Sequence, residues 1–227
     1  MPLDVAQLGQ VFTPPNVVAF MLDLCRNKGR VLEPSAGDGA FFDTLRQRGA
    51  DVVGIEIDRG VAPEGAQVGD FFAYPLSEQF DTIVGNPPYV RYQDVARETK
   101  KHLRSELFDA RSNLFLFFIE KAVRHLKPGG ELVFIVPREF IKLTAAKKLN
   151  AWLYEQGSIT HFYETGDVRV FDGATPNCAI FRFEKGRFDR QMADGRTFTE
   201  VDGQLMFLRE NHRVRFADVF TVKVGAV

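Results

Sequence analysis

Four consecutive residues, Asn86-Pro87-Pro88-Tyr89, combine the side chains and the backbone restraint needed to grip a planar group with an exocyclic amine. The amide oxygen of Asn86 and a neighbouring backbone carbonyl can accept both hydrogens of the amine, while the ring of Tyr89 stacks on the plane. Proline has no N–H and a nearly fixed φ, so Pro87 and Pro88 hold those carbonyls in place. Because Pro-Pro is also common in ordinary turns, the chemistry of this NPPY box depends on its surroundings.

A glycine loop earlier in the chain is a second candidate for ligand binding. It reads Glu33-Pro34-Ser35-Ala36-Gly37-Asp38-Gly39, between a predicted strand and a predicted helix. Glycine lets the backbone approach a ligand closely. The spacing matches neither the dinucleotide fingerprint nor a Walker loop, which disfavours a phosphate cradle. The acidic residue at the strand end suits a cationic ligand better than a pyrophosphate.

The next two predicted strands also end near acidic residues. Glu56 lies about 20 residues after the glycine loop, where a carboxylate can bind both hydroxyls of a ribose, whereas Asp58 also fits a helix cap. After the third strand, Asp70 can accept from an adenine amino group with Phe71 beside the ring, although a turn aspartate and a core phenylalanine would look the same. Open α/β sheets bind ligands at the carboxyl ends of their strands, where these residues are expected to lie.

Short apolar runs alternate with helical patterns, which is typical of an α/β protein with a doubly wound, mostly parallel sheet. Strands are predicted at residues 30–33, 52–56, 66–68, 81–84 and 131–136, and helices at residues 15–27, 41–48, 113–125 and 142–155. Residues 160–165 and 178–184 predict a C-terminal antiparallel hairpin with a long tip. Asp-Gly pairs at 194–195 and 202–203 are further hairpin signals.

Composition excludes several classes of protein. The chain has 227 residues, 45% of them hydrophobic, which is ample for one domain with a real core and incompatible with disorder. It has no apolar run of about 18 residues and no signal-peptide layout, so we expect a cytoplasmic location and no membrane partner. Cys25 and Cys178 form no metal or disulfide pattern, and no metal is expected.

The formal net charge of −1 argues mildly against a dedicated nucleic-acid binder. Basic residues nevertheless cluster after the NPPY box and again near residue 140, as solvated helix faces or as a phosphate track. The segment from residue 91 to 111 is expected to touch a nucleic-acid backbone or to cover the site. The clustered residues are Arg91, Arg97, Lys100, Lys101, Arg104, Arg111, Arg138, Lys142, Lys147 and Lys148.

These motifs, in this order, resemble those of the S-adenosylmethionine-dependent N6-adenine DNA methyltransferases of the TaqI and Eco57I type. The resemblance extends from Val11 to about residue 184. It implies a class I, Rossmann-like methyltransferase fold. It rests on Val11-Phe12-Thr13-Pro14-Pro15, Glu33-Pro34 with Gly37-Asp38-Gly39, Gly54-Ile55-Glu56-Ile57-Asp58, Gly69-Asp70-Phe71, the NPPY box, Asn113-Leu114-Phe115, Phe118-Ile119-Glu120-Lys121-Ala122 and Leu126-Lys127-Pro128-Gly129-Gly130.

The resemblance implies that the target adenine is flipped out of double-stranded DNA and that its amine attacks the methyl group of S-adenosylmethionine in one in-line step. Asn86 and the Pro87 carbonyl would hold the amine, and Tyr89 and Phe171 would stack on the base. Thr13 would contact the methionine carboxylate of the cofactor. The implied cofactor-binding set is Thr13, Glu33, Ser35, Ala36, Gly37, Glu56, Ile57, Asp70, Phe71, Asn86, Pro88 and Phe118.

Residues 1–185 are expected to form the catalytic domain, and residues 186–227 a β-rich extension leading to a target-recognition domain outside this sequence. The implied function is that of the modification enzyme of a restriction-modification system, with a cognate restriction endonuclease as partner. The same amine chemistry would serve an RNA base or a protein glutamine, and a non-catalytic methyltransferase-like subunit is a further alternative. Cytosine C5 methylation is disfavoured, because Cys25 and Cys178 are predicted away from the cofactor loops.

Overall fold

Nine strands and five α-helices form the part of the chain that the computed structural model describes, residues 13–109, 111–165 and 177–209. The helices are α1 (Pro15–Leu24), α2 (Ala40–Gln47), α3 (Arg97–Lys100), α4 (Leu114–His125) and α5 (Lys147–Gln156). The strands are β1 (Val31–Glu33), β2 (Val52–Glu56), β3 (Gln67–Val68), β4 (Phe80–Gly85), β5 (Leu126–Pro137), β6 (Gly157–Glu164), β7 (Cys178–Lys185), β8 (Arg196–Val201) and β9 (Gln204–Arg209). Short 3-10 turns lie at Phe71–Ala73, Tyr92–Asp94, Arg138–Ile141 and Thr144–Ala146.

Seven of the strands form one sheet in the order β3-β2-β1-β4-β5-β7-β6. Strands β1 to β5 pair in parallel, whereas β7 is antiparallel to both of its neighbours. The predicted α/β class, with a doubly wound, mostly parallel sheet and a C-terminal antiparallel hairpin, is therefore confirmed. The tip of that hairpin and the last predicted strand, residues 220–227, lie outside the described residues.

Apolar side chains on the central strands point alternately to the two faces of the sheet, and helices cover both faces. Ile83 of β4 and Leu132 and Phe134 of β5 belong to the core completed by α4 and α5. Val84 and Val133 belong to the core beneath α1 and α2. Successive side chains of a strand point to opposite faces, so the continuous apolar runs of β4 and β5 reflect burial on both sides.

The strand order creates a crevice between β1 and β4. From β1 the chain proceeds outward to β2 and β3, and it then returns to β4 on the other side of β1. Connections that diverge in this way open a crevice at the carboxyl ends of the two strands. Strand β1 ends at Glu33, before the glycine loop, and β4 ends at Gly85, before the NPPY box. The topology thus brings both predicted half-sites to one crevice.

Two helix boundaries differ from those that the sequence predicts. Helix α1 ends at Leu24 instead of residue 27, because the N–H groups of Arg26 and Asn27 donate to the Glu131 carboxylate at 2.8 and 2.7 Å. Helix α5 begins at Lys147 instead of residue 142, and two 3-10 turns occupy most of residues 138–146. The side chain of Asn150 donates to the Phe140 carbonyl at 2.9 Å, which holds the first of these turns against α5.

Strands β8 and β9 form the separate hairpin that the second Asp-Gly pair predicts. Asp202 and Gly203 have φ of 50° and 73°, as a two-residue type I′ turn requires. Phe198 and Leu205 are fully buried in the larger core, and Asn150 of α5 donates to the Gly203 carbonyl at 3.0 Å. Residues 196–209 therefore share a core with the sheet, while the predicted division at residue 185 stays a prediction.

A buried ion pair joins the parallel and antiparallel parts of the sheet, at the edge opposite the crevice. Arg182 of β7 donates to the Glu131 carboxylate of β5 through Nε at 2.7 Å and Nη2 at 2.6 Å, and both side chains are buried. Glu131 also accepts from Thr82 Oγ1 of β4 at 3.0 Å. Arg182 further contacts Glu184 and Thr160. The pair is part of a network that spans four strands.

Arg182→Leu is expected to lower the free energy of unfolding by about 3–5 kcal/mol, because it leaves the Glu131 carboxylate buried without its cation. Urea denaturation followed by circular dichroism measures this change. Arg138→Leu is the matched control, since Arg138 pairs with Glu164 on the exposed surface and such pairs contribute little. Equal effects of the two substitutions would contradict the importance assigned to burial.

Candidate active site

A large cleft occupies the crevice at the carboxyl ends of the parallel strands and extends to the start of α4. It encloses about 970 Å³, part of which is open to solvent. The structure brings together in its lining all twelve residues of the implied cofactor-binding set, although the role of each toward a ligand remains a prediction. They are Thr13, Glu33, Ser35, Ala36, Gly37, Glu56, Ile57, Asp70, Phe71, Asn86, Pro88 and Phe118.

The glycine loop forms the floor of the cleft between β1 and β2. Gly37 and Gly39 have φ of 55° and 94°, a conformation that side-chain-bearing residues rarely adopt. A Cβ atom added to Gly37 would meet no protein atom within 4 Å and would project into open space. The N–H of Ala36 donates to the Ile55 carbonyl at 2.8 Å, which holds the loop over β2. The backbone is thus open to close approach by a ligand.

Glu56 is held rigidly at the end of β2. Its Oε2 accepts from the Gly37 N–H at 2.8 Å, and its Oε1 accepts from the Asp58 N–H at 2.9 Å. The side chain is only 4% exposed, yet it lines the cleft. Asp58, in contrast, accepts from the Gly60 N–H at 2.8 Å and so closes the turn after β2. Of the two acidic residues, Glu56 is therefore the one placed to meet a ligand.

Glu33 is a buried carboxylic acid at the base of the cleft. Its side chain is 1% exposed, and its Oε2 has no hydrogen-bond partner among the described residues. Burial raises the pKa of Glu33 well above its ordinary value, and the charge of Glu56 raises it further. A buried polar atom without a partner costs free energy, and a donor or cation in the cleft would remove that cost. The site therefore fits the cationic cofactor that the resemblance implies.

Asp70 and Phe71 form the wall of the cleft beyond β3. The Asp70 carboxylate accepts from the Phe72 N–H at 2.8 Å and thereby caps the 3-10 turn Phe71–Ala73. The Phe71 ring stacks against Phe118 of α4, with centroids 5.2 Å apart and planes at 29°. Both rings line the cleft as well as the core. Asp70 is thus a turn residue and Phe71 a core residue, as the alternative interpretations have it, and both also line the cleft.

The NPPY box and the glycine loop are in direct contact. The Ser35 hydroxyl donates to the backbone carbonyl of Asn86 at 3.2 Å. The Asn86 side-chain nitrogen donates to Thr13 Oγ1 at 3.2 Å, just before α1. These bonds connect segments 51 and 73 residues apart in sequence. The NPPY box and the predicted cofactor loop therefore border the same cleft, and the amine-binding role of the box stays a prediction.

The other residues of the box have different surroundings. Pro88 lines the cleft, whereas Pro87 is buried and lies outside the lining. Tyr89 packs edge-on against Phe115 with centroids 6.2 Å apart, and its hydroxyl donates to the Ile135 carbonyl at 3.0 Å. Burial raises the pKa of Tyr89 well above its ordinary value. The phenol is thus anchored and protonated, and its predicted stacking on a target base stays a prediction, as does that of Phe171, which lies outside the described residues.

Part of the cleft wall comes from residues that the sequence did not single out. Val95, Ala96 and Thr99 line the cleft and belong to the segment between the NPPY box and α4. Val95, Leu103 and Phe108 are buried in the main core, so this segment packs against the domain and covers one side of the cleft. Apolar residues within a highly charged stretch were a weak signal of this packing, because they recur without a regular period.

Half of the ten clustered basic residues form surface ion pairs with nearby acidic side chains. Arg91 pairs with Asp94, Lys101 with Glu98 and Arg111 with Asp109 around the segment that covers the cleft. Arg138 and Lys147 pair with Glu164 and Asp202. These pairs match the interpretation as solvated faces, and a phosphate track along the same residues stays a prediction.

Neither cysteine is poised for nucleophilic chemistry. Burial raises the pKa of Cys25 to about 12 and also raises that of Cys178, so both remain thiols at neutral pH. Among residues 13–109, 111–165 and 177–209, no group of three or more His, Cys, Asp and Glu side chains could hold a metal ion. No helix in these ranges is long and apolar enough to cross a membrane.

Comparison with known proteins identifies the family. The Eco57I restriction-modification methylase family matches residues 57–171. The chain belongs to this family. It is 38% identical over 216 residues to the Type II methyltransferase M.TthHB8I of Thermus thermophilus, covering 86% of this chain and 50% of that protein. It is 34% identical over 189 residues to the Type II methyltransferase M.HincII of Haemophilus influenzae, covering 79% and 38%. The chain thus spans half or less of the length of these relatives.

Two solved structures share the fold of this chain. A protein of Listeria monocytogenes described as a class I S-adenosylmethionine-dependent methyltransferase has a TM-score of 0.61, with 22% identity, covering 80% of this chain and 62% of that one. The M protein of the type I restriction enzyme EcoKI has a TM-score of 0.59, with 15% identity, covering 82% and 45%. The predicted class I methyltransferase fold is therefore confirmed.

Proposed function

We propose that this chain is the catalytic domain of an adenine-specific DNA methyltransferase, the modification enzyme of a restriction-modification system. The observation that carries the proposal is the contact of the NPPY box with the glycine loop through Ser35 and with the segment before α1 through Thr13. An amine held by the box is then next to a cleft built for a cationic, ribose-bearing cofactor. The Type II methyltransferases to which the chain is similar support the same function. Double-stranded DNA and a cognate restriction endonuclease are its proposed partners.

S-adenosylmethionine supplies, when bound, an electrophilic methyl group on a sulfonium sulfur. Glu56, whose carboxylate is already fixed by two backbone N–H groups, would accept from the ribose hydroxyls. Asp70 would accept from the adenine amino group, with Phe71 and Phe118 against the ring. The buried Glu33 would face positive charge. Every one of these residues lines the same cleft, which supports their assignment to one ligand.

On the target side, Asn86 Oδ1 and the Pro87 carbonyl would accept the two hydrogens of the adenine N6 amine. Both acceptors draw the nitrogen lone pair out of conjugation with the ring and direct it into the cleft. Tyr89 and Phe171 would hold the flipped base by stacking. Such positioning can contribute on the order of 7–11 kcal/mol to catalysis, so no strong general base is required.

Thr13 is placed to orient the amide of Asn86. A hydroxyl has one donor hydrogen and two acceptor sites. If the Thr13 hydrogen goes to the cofactor carboxylate, its oxygen must accept from the Asn86 nitrogen, and the amide oxygen then faces the target amine. The bond from Asn86 Nδ2 to Thr13 Oγ1 at 3.2 Å has this direction.

Thr13→Val is therefore expected to lower kcat for methyl transfer about tenfold, since the neutral bond to Asn86 contributes about 0.5–1.5 kcal/mol. It should also weaken cofactor binding, since the proposed bond to the cofactor carboxylate is charge-assisted. Steady-state kinetics of the complete protein with a DNA substrate measure both effects. Thr13→Ser retains the hydroxyl and should restore kcat. A serine variant as slow as the valine variant would argue against this role.

Two experiments separate the proposed function from its alternatives. Calorimetric titration with S-adenosylmethionine should show one site per chain, whereas absence of binding would leave only a non-catalytic subunit. Transfer of a labelled methyl group by the complete protein should occur to duplex DNA, and not to RNA of the same sequence or to a protein glutamine. Preferential labelling of RNA or protein would favour those alternative substrates.

A further inference from the structure

We propose that Lys121 of α4 is a positioning residue that holds the adenine-side wall of the cofactor cleft and thereby sets selectivity for a 6-aminopurine. The proposal rests on the proposed cofactor and concerns a residue outside the cleft lining. Lys121 acts through the segment formed by residues 70–74, which contains Asp70 and Phe71.

Lys121 connects α4 to this segment by two short hydrogen bonds. Its Nζ donates to the Phe72 carbonyl at 2.6 Å and to the Tyr74 carbonyl at 2.8 Å, across 49 and 47 residues of sequence. The ammonium also lies 5.2 Å from the centre of the Phe71 ring. Bonds from an ammonium are charge-assisted and stronger than neutral ones, and the ring face adds attraction. One cation therefore holds the backbone on either side of Ala73 and the ring that lines the cleft.

Aromatic packing also holds the segment, since Phe72 contacts Phe118 of α4 and Tyr74 contacts Phe80 of β4, but its backbone has few regular hydrogen bonds to the sheet. Strand β3, which precedes it, has only two residues, and the 3-10 turn after it is closed by local bonds from Ala73 to Asp70 and from Tyr74 to Phe71. One helical turn beyond Lys121, His125 Nδ1 lies 2.7 Å from the Glu78 carbonyl. Burial lowers the pKa of His125 to about 4, so this second tie is neutral at physiological pH. Lys121 thus supplies the positive charge on this face of α4.

A shift of the segment would move the acceptor that recognises the amine. The Asp70 carboxylate caps the same turn that Lys121 holds, so its position relative to Phe71 and Phe118 depends on where the turn sits. A 6-amino group donates to a carboxylate, whereas a 6-keto group repels it. Correct placement of Asp70 therefore contributes more to the binding affinity of an adenine ligand than to that of a hypoxanthine ligand.

The ionisation of Lys121 provides an independent signature. Burial lowers its pKa to about 8, and the negative charge of Asp70 opposes that shift. The titratable groups that face it are Asp70 and Tyr74 on the segment and the neutral His125 on α4. Because the pKa is lower in the folded chain than in the unfolded one, loss of the proton above pH 8 stabilises the fold. The same loss removes the charge from the two carbonyl bonds and should weaken cofactor binding. As the pH rises above 8, the stability of the fold should therefore increase while the affinity for the cofactor decreases.

The experiment measures binding of S-adenosylhomocysteine and S-inosylhomocysteine to the complete protein by calorimetry at pH 7.0 and pH 9.5. Lys121→Met is compared with Lys121→Arg, which keeps the charge at both pH values. Lys185→Met is the matched control: Lys185 is also partly buried, donates to the carbonyls of Val123 and Leu126, and its pKa is likewise lowered by burial. Thermal unfolding of every variant reports its stability.

Lys121→Met should weaken binding of S-adenosylhomocysteine about tenfold at pH 7.0, since it removes two charge-assisted bonds that hold the wall, and should reduce the preference over S-inosylhomocysteine. Lys185→Met should lower stability and leave the preference unchanged. Wild-type affinity should fall between pH 7.0 and 9.5, and that of Lys121→Arg should fall less. If the wild-type chain binds and Lys121→Met retains both affinity and preference, the role of Lys121 is wrong. Absence of wild-type binding would instead refute the proposed cofactor.

Discussion

An Asn86→Ala variant of the complete protein is expected to lose methyl transfer by a factor of at least about 10²–10³, as when one preorganised hydrogen-bonding group is removed from an active site. Asn86 supplies one of the two oxygens that hold the target amine, so its loss leaves the amine conjugated and misdirected. Affinity for S-adenosylmethionine should stay within a few-fold, because Glu56, Asp70 and the aromatic wall remain. Radiometric transfer assays and calorimetry measure the two quantities separately.

Asn27→Ala is the matched control for this prediction. Asn27 accepts from the Gly29 N–H at 3.2 Å in an exposed turn near the opposite edge of the sheet and does not line the cleft. This variant should retain turnover. An Asn86→Ala protein with unchanged turnover would refute the assignment of the NPPY box as the amine-binding site.

Glu56→Ala is expected to weaken binding of S-adenosylmethionine about 10- to 100-fold, because hydrogen bonds to a charged group contribute about 1.5–3 kcal/mol. It should also destabilise the fold. From the sequence alone, Glu56 is expected to be a ligand-binding side chain at a strand end, and its removal is expected to alter the stability of the fold very little. The structure revises that expectation, since the side chain is buried and accepts from the N–H groups of Gly37 and Asp58. Each unsatisfied group costs about 1–3 kcal/mol.

Glu56→Gln separates the two effects. The amide keeps the volume and one acceptor oxygen, so stability should suffer less than in Glu56→Ala while cofactor affinity still falls. Asp58→Asn is the control, because Asp58 closes a turn outside the cleft. A dissociation constant for S-adenosylmethionine that did not change in Glu56→Gln and Glu56→Ala would contradict the ribose-binding role.

The positions of the strand ends were predictable because period and composition identify buried strands. Glu33, Glu56 and Asn86 all follow or end apolar runs, and a parallel sheet brings such ends to one edge. Twelve of the cleft-lining residues could therefore be proposed from sequence motifs and from the family resemblance. Their assembly is a consequence of topology.

Contacts between distant segments were not predictable from one sequence. The bond between Asn86 and Thr13 and the bonds of Lys121 to the segment beyond β3 depend on side-chain placement across 47 to 73 residues. The end of α1 was mispredicted for the same reason, since the Glu131 carboxylate that binds Arg26 and Asn27 comes from β5. Helix pattern alone carries no information about such partners.

The wall formed by Val95, Ala96 and Thr99 illustrates a second limit. A charged segment with a short helix has weak periodicity, so its apolar residues did not stand out. Whether a side chain such as Val95 enters the core is decided by the shape that the rest of the domain leaves open.

The most direct test of the proposed function is mass spectrometry of nucleosides from DNA incubated with the complete protein and S-adenosylmethionine labelled in its methyl group. Labelled N6-methyladenine is expected in DNA methylated by the wild-type protein, and none with Asn86→Ala. Label confined to N4-methylcytosine or C5-methylcytosine, or equal N6-methyladenine from both proteins, would contradict the proposed function.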